Sequence, residues 1–223
     1  MRLFDRWRFD RALAVLESAS DPALVAYANA PWPTKDTLAR EAAYLALDFE
    51  LDGLRKGAHL LQAGWTPFEG TKLRLDESRS LDIRSDATLD RLAVTVHGIG
   101  EQRAARGTPV GEVMRHLVHA LAGRILVAHA AAIERTALSQ AVRALFGVKL
   151  PIRCVCTLAL ERTLHPNLTG GEAYRLGPTR ARYGLPEYEP HDALTDAIAA
   201  AELLAAQLSR MPEHTTLEHL ESA

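Results

Sequence analysis

Apolar and polar positions alternate most clearly in the first half of the chain. An apolar run begins near residue 44 and ends, by residue 54, in carboxylates and a glycine, which predicts a buried strand with an acidic end. Residues 58–66 and 70–76 have the pattern of a second and a third strand, and a fourth short strand is expected at 81–84. We therefore expect an antiparallel meander that starts from the acidic strand.

The second half of the chain has helical periodicity. Apolar residues recur three and four apart in residues 109–122 and 131–146, and a short buried strand is expected between these helices at 124–127. Another strand, at 151–157, precedes a helix that reaches residue 164. Parallel strands need such crossover helices between them. The expected fold class is therefore α/β, with an antiparallel meander and then parallel crossover strands in one mixed sheet, flanked by helices.

The chain divides into three expected parts. Residues 1–40 have the pattern of an N-terminal helical arm, residues 41–211 form the main domain, and residues 212–223 are a polar C-terminal tail that frays. The arm could bind a protein partner, or it could pack on the outside of the domain because its apolar residues need cover. Within the main domain, residues 95–100 are expected to be a loop, and the alanine-rich segment 190–208 is expected to be the last helix.

Composition narrows the class of protein. The 223 residues are 48% hydrophobic and 24% charged, which is ordinary for a globular protein. The net charge of -2 argues against a protein that coats polyanions through many phosphate contacts, but it leaves room for an enzyme with a local nucleic-acid groove. Cys154 and Cys156 are too few to staple the domain, so a reducing, cytoplasmic location is expected. We predict no signal peptide and no membrane span.

The acidic end of the first strand is the first candidate site. Asp48 and Glu50 are two residues apart, so on a strand they project from the same face. Two like charges in this position repel each other unless a cation neutralises them, and a divalent metal prefers such oxygen ligands. The alternative is a strand that runs into an acidic surface turn, and this stretch taken alone fits that alternative better.

Two later helices carry further candidates. Glu134 lies on the apolar stripe of its helix, so its carboxylate should face the sheet; the alternative is a first-turn acid that leans into solvent and favours the helix dipole. Asp196 lies among small apolar residues that would let its helix approach the sheet closely. His191 comes five residues earlier, at the helix start, where a lone histidine is more often a cap or a surface group.

In combination, these segments resemble a known family. The stretch from Asp48 to Gly53 matches the motif Asp-x-Glu-x-x-Gly, and the stretch from His191 to Asp196 matches His-x4-Asp. The stretch from His129 to Glu134 matches in part a His-Asn-Ala-x-Phe-Asp segment. The order and spacing of these motifs resemble the DnaQ-like exonucleases of the DEDD type with a catalytic histidine (DEDDh). These share the ribonuclease-H-like fold and include the proofreading subunit of bacterial DNA polymerase III. The likeness covers residues 42–209.

The resemblance implies a 3′–5′ exonuclease that releases 5′-mononucleotides from nucleic-acid 3′ ends, with DNA favoured. It implies two Mg²⁺ or Mn²⁺ ions as cofactors. Asp48 would contact both ions, Glu50 and Asp196 would complete one shell, and Glu134 would complete the other. His191 would act as general base, since an imidazole exchanges protons near neutral pH.

The resemblance also implies a set of substrate contacts. Leu51 and Leu54 are expected to pack on the base or the sugar of the terminal nucleotide. The other expected contacts come from the same turn and from two histidines: Asp52, Gly53, His97 and His129. Arg175, Arg180 and Arg182 could guide a phosphate backbone, and a solvated helix face explains them equally well.

The sequence departs from the family at several positions. Glu134 stands where the family has aspartate, Ala130 where it has asparagine, and Cys156 where relatives often have aspartate. Asp52 adds a negative charge where the family favours threonine. A carboxylate displaced by about 1 Å can be costly to catalysis. A second class of function therefore stays open: a weak or inactive homologue that binds nucleic acid or protein.

Overall fold

The computed structural model describes residues 2–53 and 58–222. Within them, the strands are β1 Ala43–Leu51, β2 Leu60–Glu69, β3 Lys72–Leu73, β4 Arg79–Asp82, β5 Ile125–Ala128 and β6 Cys154–Cys156. The helices are α1 Arg2–Leu16, α2 Pro22–Ala28, α3 Arg91–His97, α4 Glu101–Ala105, α5 Val110–Leu121, α6 Ala132–Phe146, α7 Thr157–Leu164, α8 Leu176–Arg182, α9 Ala193–Ser209 and α10 Leu217–Glu221. None of the helices so described is long and apolar enough to cross a bilayer.

The strands form one mixed sheet in the order β3-β2-β1-β5-β6, with β4 also paired to β2. Strands β1 to β4 pair antiparallel, whereas β5 runs parallel to β1 and β6 runs parallel to β5. The predicted meander and the predicted parallel crossovers are both confirmed. β1 is central, so its acidic end lies between the two halves of the sheet.

The two faces of β1 are buried by different helices. Leu45, Leu47 and Phe49 belong to a core with residues of α1, α2, α5 and α6. Tyr44 and Ala46 belong to a second core with residues of α9 and α10. Because successive side chains alternate between faces, Asp48 and Glu50 continue the row of Tyr44 and Ala46. Both carboxylates therefore project toward α9.

The N-terminal arm packs against the domain, and its apolar residues join the core. Leu16, Leu24 and Tyr27 are at most 1% exposed and pack in the same cluster as α5. The Tyr27 hydroxyl donates to the carbonyl of Pro151, 2.5 Å away. The apolar positions of these short helices thus complete one face of the sheet.

The C-terminal segment differs from its prediction. The expected fraying tail is wrong, because Leu217 and Leu220 are at most 1% exposed in the second core. The backbone N–H of Leu217 donates to Thr37, and the N–H of Ala39 donates to Thr215. The segment after the arm and the C-terminal segment therefore hold each other by backbone pairing.

Two local predictions in the middle of the chain are also corrected. The third strand covers only Lys72–Leu73, and a 3₁₀ turn at Leu75–Glu77 replaces its second half. Residues 95–97 continue α3 instead of forming a loop, and the helix ends at Gly98, whose φ of 68° is in the left-handed region. A glycine at that position ends a helix without steric cost, so the irregular connection is limited to residues 98–100.

Candidate active site

The end of β1 meets the start of α9. Asp48 pairs across the sheet with Gly64, and Glu50 pairs with Gln62. Glu50 is 8% exposed. The ladder shifts register after Glu50, where Leu51 pairs with Leu60, and such an irregularity bends a strand as it ends.

Side-chain caps define the first turn of α9. The carboxylate of Asp192 accepts from the backbone N–H of Thr195 at 3.1 Å. The Oδ2 atom of Asp196 accepts from the backbone N–H of His191 at 2.7 Å. His191 has a φ of 72°, a left-handed value that histidine tolerates better than most residues. These bonds hold His191 and Asp196 together.

Three of the predicted site residues form one constellation. Glu50, His191 and Asp196 each offer a ligand atom, and these atoms lie within 4.8 Å of one another. Glu134 is 3% exposed in the first turn of α6, so the inward-facing prediction is confirmed and the solvent-facing alternative is wrong. Its Oε2 atom is buried without a hydrogen-bond partner among the described residues.

Burial raises the pKa values of three carboxylates, and neighbouring negative charges add to the rise at Asp48 and Glu50. Burial raises the pKa of Asp48 well above its usual range, and neighbouring negative charges raise it further, in the order Glu134, Asp196, Glu50, Asp192. Burial, then the charges of Asp196 and Asp192, raise the pKa of Glu50 to about 7. Burial raises the pKa of Glu134 to about 8. Such crowding disfavours the ionised forms unless a cation is present.

The donor set fits divalent metal ions. Hard oxygen ligands are those that Mg²⁺ and Mn²⁺ prefer. Glu134 Oε2 is a buried acceptor without a partner in the described structure, and the paired carboxylates of Asp48 and Glu50 repel each other. A cation would relieve both penalties. Asp48, Glu50, Glu134 and Asp196 could therefore hold metal ions.

Gln62 is a supporting residue that sequence reasoning missed. Its side-chain oxygen accepts from the backbone N–H of Ala193 at 2.9 Å, and its Nε2 donates to Asp82 at 3.1 Å. Asp82 in turn forms an ion pair with Arg103 at 2.7 Å. The start of α9 is thereby tied to β2. A polar residue in an otherwise apolar strand was the signal that could have identified Gln62.

Tyr188 is a second residue that the sequence did not indicate. Its phenol forms a hydrogen bond with Asp196. The Arg180 guanidinium lies 5.0 Å from the centre of the Tyr188 ring. Arg180 donates to the carbonyls of Ala199 and Pro186 and pairs with Glu202 at 2.8 Å. No spacing rule marks Tyr188, because the loop that carries it has no periodic pattern.

The arginines near the last motif are mostly internal. Arg180 is 3% exposed, and Arg182 pairs with the fully buried Glu161 at 3.1 Å. Neither residue lies on a solvated helix face, and both are occupied by protein partners. Arg175 is exposed and pairs with Glu172 at 2.9 Å.

The predicted substrate contacts are placed in different environments. Leu51 and Gly53 line an open cleft of about 710 Å³ together with Ile133 on α6. Asp52 is fully buried and accepts from the backbone N–H of Asp90 at 2.5 Å. The Asp52 carboxylate therefore points into the protein, away from the cleft. Leu54 lies outside the described residues.

The two predicted groove histidines are also held by the protein. The Nδ1 atom of His97 accepts from the backbone N–H of Ile99 at 3.1 Å, and burial lowers the His97 pKa. His129 lies between Thr157 at 2.9 Å and the carbonyl of Tyr174 at 2.8 Å, and burial lowers its pKa as well. A neutral His129 ring donates to that carbonyl through Nε2. His129 also borders a second cleft, of about 720 Å³, which reaches Asp196.

The family's missing asparagine has a structural consequence. Ala130 has a φ of 68°, a left-handed value that costs an ordinary residue roughly 1–2 kcal/mol. Asparagine tolerates this conformation because its short polar side chain can hydrogen-bond locally. Ala130 therefore adopts this conformation without a side chain that would ease it.

Comparisons with solved structures identify the fold. Exonuclease X in complex with 5′ overhanging duplex DNA has a TM-score of 0.63 and 22% identity, over 80% of this chain and 98% of that one. An E. coli exonuclease I–single-stranded DNA complex has a TM-score of 0.68 and 15% identity, over 78% of this chain and 42% of that one. The nuclease domain of 3′hExo, a DEDDh family member bound to rAMP, has a TM-score of 0.64 and 13% identity, over 79% of this chain and 96% of that one.

One of the two sequence comparisons identifies a family, and that family agrees with the fold. Comparison with curated protein sequences gives no match. The mixed sheet and its flanking helices are those of the ribonuclease-H-like exonuclease fold. The profile of the exonuclease family RNase_T matches residues 45–204, which include the four carboxylates and His191, and the chain belongs to that family.

Proposed function

We propose that the chain is a metal-dependent 3′–5′ exonuclease of the DEDDh type, which hydrolyses phosphodiester bonds at nucleic-acid 3′ ends and releases 5′-mononucleotides. The observation that carries the proposal is the constellation of Glu50, His191 and Asp196, whose ligand atoms lie within 4.8 Å of one another. The half-buried Asp48 and the buried Glu134 adjoin it. Crowded carboxylates beside an imidazole suit phosphodiester hydrolysis assisted by divalent cations.

Each residue has a proposed role. Two Mg²⁺ or Mn²⁺ ions would supply the positive charge that stabilises the attacked phosphate and the leaving oxygen. Asp48 would contact both ions, Glu50 and Asp196 would share one, and Glu134 would hold the other. The carboxylate oxygens of these four residues are hard ligands of the kind that Mg²⁺ and Mn²⁺ prefer.

His191 would accept the proton of the attacking water. Its ring is exposed, while its backbone N–H is fixed by Asp196 at 2.7 Å. The ring is therefore accessible to substrate, and its backbone is held in a defined position. An imidazole suits this step because it exchanges protons near neutral pH.

The terminal nucleotide would occupy the cleft beside Leu51 and Gly53. That cleft of about 710 Å³ begins one residue after Glu50 and is bordered by Ile133, next to Glu134. Apolar walls there suit packing against a base or a sugar. DNA is the favoured polymer, supported by the DNA complexes of exonuclease X and exonuclease I. A relationship to the proofreading subunit of DNA polymerase III and a cytoplasmic location, which the free thiols suit, belong to the same proposal.

A catalytically weak homologue that binds nucleic acid or protein is the second candidate. Glu134 in place of aspartate favours it, because one extra methylene moves a carboxylate by about a bond length. A misplacement of about 1 Å can lower a rate by about 100-fold.

The test is hydrolysis of a labelled single strand with Mn²⁺. We expect a 3′ label to leave as a mononucleotide and a 5′-labelled strand to shorten stepwise. Asp48→Ala should be inert, whereas Asp76→Ala, at an exposed carboxylate far along the chain, should keep its activity. If wild type and Asp48→Ala are equally inert but both bind the strand, the binding function replaces the nuclease.

A further inference from the structure

A second groove adjoins the cleft beside the acidic site. Between α1 and the start of β6, it has a volume of about 550 Å³. Its lining includes three exposed cations, Arg8, Arg135 and Lys149. None of the described residues that line it is acidic. The groove is therefore locally positive, although the whole chain has a net charge of -2.

The cations are available to a ligand. Arg8 and Lys149 form no ion pair within the described part of the chain, and their side chains reach solvent. The half-buried ring of Phe9 forms part of the same wall, but it packs against Trp32 and lies under the Arg153 guanidinium, so it is part of the scaffold. Exposed cations along a groove are typical of sites that hold single-stranded nucleic acid, since they meet its phosphates.

The groove continues the cleft. Thr136 and Gln140 on α6 line both of them, so the basic groove and the space beside Leu51 border the same stretch of this helix. Gln140 is six residues beyond Glu134, which is about 9 Å along a helix. A strand leaving the carboxylates along α6 would therefore reach the groove within a short distance.

The groove depends on the N-terminal arm. Arg8 and Phe9 belong to α1, and the matched exonuclease family covers only residues 45–204. The arm is fixed against the domain by the buried residues Leu13 and Leu16. The wall that it contributes is thus held in place and lies outside the family's domain.

We propose that α1 and α6 form a binding track for the sugar–phosphate backbone of single-stranded nucleic acid, continuous with the cleft at the acidic site. The arm thereby extends the contact with substrate beyond the terminal nucleotide. This proposal rests on the proposed nuclease function for its substrate, but it concerns binding and is tested without hydrolysis.

The experiment compares two double variants of the full-length chain that remove the same charge. Arg8→Gln with Lys149→Gln neutralises one cation of α1 and one just after α6 that line the track, and Arg11→Gln with Arg143→Gln neutralises exposed cations of α1 and α6 that do not line it. Binding of a fluorescent 20-nucleotide single strand is measured by anisotropy in EDTA over a range of salt concentrations. We expect the track variant to bind about tenfold more weakly, with a salt slope shallower by about 1.4, since each lost phosphate contact removes about 0.7. The control pair should change both values by much less.

The outcomes separate the two proposals. Equal losses in the two variants, or no loss in either, would overturn the track. Competition by polyglutamate as effective as that by unlabelled oligonucleotide would also overturn it, since the site would then suit an acidic protein segment. If the track variant alone loses affinity while the wild type never hydrolyses DNA with Mn²⁺, the track stands and the nuclease function falls. If hydrolysis occurs and the track variant binds normally, the nuclease function stands and the track falls.

Discussion

Gly64 on β2 lies directly against Ala193, the first residue of α9. A Cβ atom built on Gly64 would lie 2.1 Å from the carbonyl carbon of Ala193. Because Gly64 pairs with Asp48 across the sheet, this contact brings the start of α9 over the acidic end of β1. The distance between the two halves of the candidate site thus depends on the absence of a side chain at one position.

Gly64→Ala should therefore displace α9. We expect a loss of about 3 kcal/mol in the free energy of unfolding, since backbone cannot yield to the added methyl group. Mn²⁺ affinity and nuclease rate should fall as well. Urea denaturation and calorimetric titration measure these effects. Gly111→Ala is the matched control, because an added Cβ there meets only atoms at 3.6 Å or more, and helix propensity should favour it. A fully stable Gly64→Ala variant would contradict the close approach.

Glu134→Asp tests the family departure. We expect the aspartate variant to hydrolyse DNA faster than the wild type, because it restores the shorter family carboxylate at a position that is 3% exposed. Glu134→Gln, which keeps the size and removes the charge, should lose activity and Mn²⁺ affinity. Hydrolysis rates of the wild type and both variants under single-turnover conditions measure these effects. A slower Glu134→Asp variant would mean that the site has adapted to glutamate.

The metal-free protein should lose stability as the pH rises. Burial raises the pKa values of Glu50 and Glu134 from 4.5 to about 7 and about 8. The folded state therefore binds more protons than the unfolded state, so this stabilisation is complete below about pH 4.5 and disappears as the pH rises through 7 to 8. Urea midpoints in EDTA at about pH 5 and pH 8 measure the change.

Removing these two groups should flatten the pH dependence. Glu50→Gln with Glu134→Gln should show a smaller decrease in stability between the two pH values than wild type. Glu17→Gln with Glu69→Gln, at exposed positions, should behave as wild type. Excess Mn²⁺ should oppose the decrease in wild type alone, because metal binding needs deprotonated ligands. The same steep slope in both double variants would place the titrating groups elsewhere.

Tyr188→Phe tests the phenol that holds Asp196. The substitution keeps the ring under Arg180 and removes the hydrogen bond to the carboxylate. We expect weaker Mn²⁺ binding and a kcat lower by about tenfold, with little change in KM. Tyr27→Phe removes the hydroxyl that donates to Pro151 on the other side of the sheet, so it should cost about 1 kcal/mol of stability and leave Mn²⁺ affinity unchanged. Equal Mn²⁺ affinities in Tyr188→Phe and wild type would show that Tyr188 does not support metal binding.

Ala130→Asn should stabilise the protein. The left-handed φ of 68° is costly for alanine and less so for asparagine, so we expect a gain of about 1 kcal/mol. Ala144→Asn, at an exposed position within α6, should instead lose roughly 0.5 kcal/mol through helix propensity. Thermal unfolding of both variants measures the two effects. A loss at both positions would show that the backbone at Ala130 is not under strain.

Local pattern predicted most of the fold that positions the candidate site. Strand periodicity placed Asp48 and Glu50 on one face, and the helical stripe placed Glu134 inward, because both inferences need only the geometry of a single element. The two corrected segments in the middle of the chain have different causes. Glycines near Gly98 suggested a loop, whereas the glycine ended a helix, and the short polar third strand had too few partners to extend.

The sequence by itself determined the order of the main elements and the mixed sheet, because these follow from periodicity along the chain. Its resemblance to a family's motifs supplied the candidate carboxylates and His191. The tertiary structure decided what depends on contacts between distant segments. It placed Asp52 inside the protein, joined Tyr188 to Asp196, tied α9 to Gln62 and set the arm into the core. Such contacts form between residues far apart in sequence, so no local periodicity encodes them.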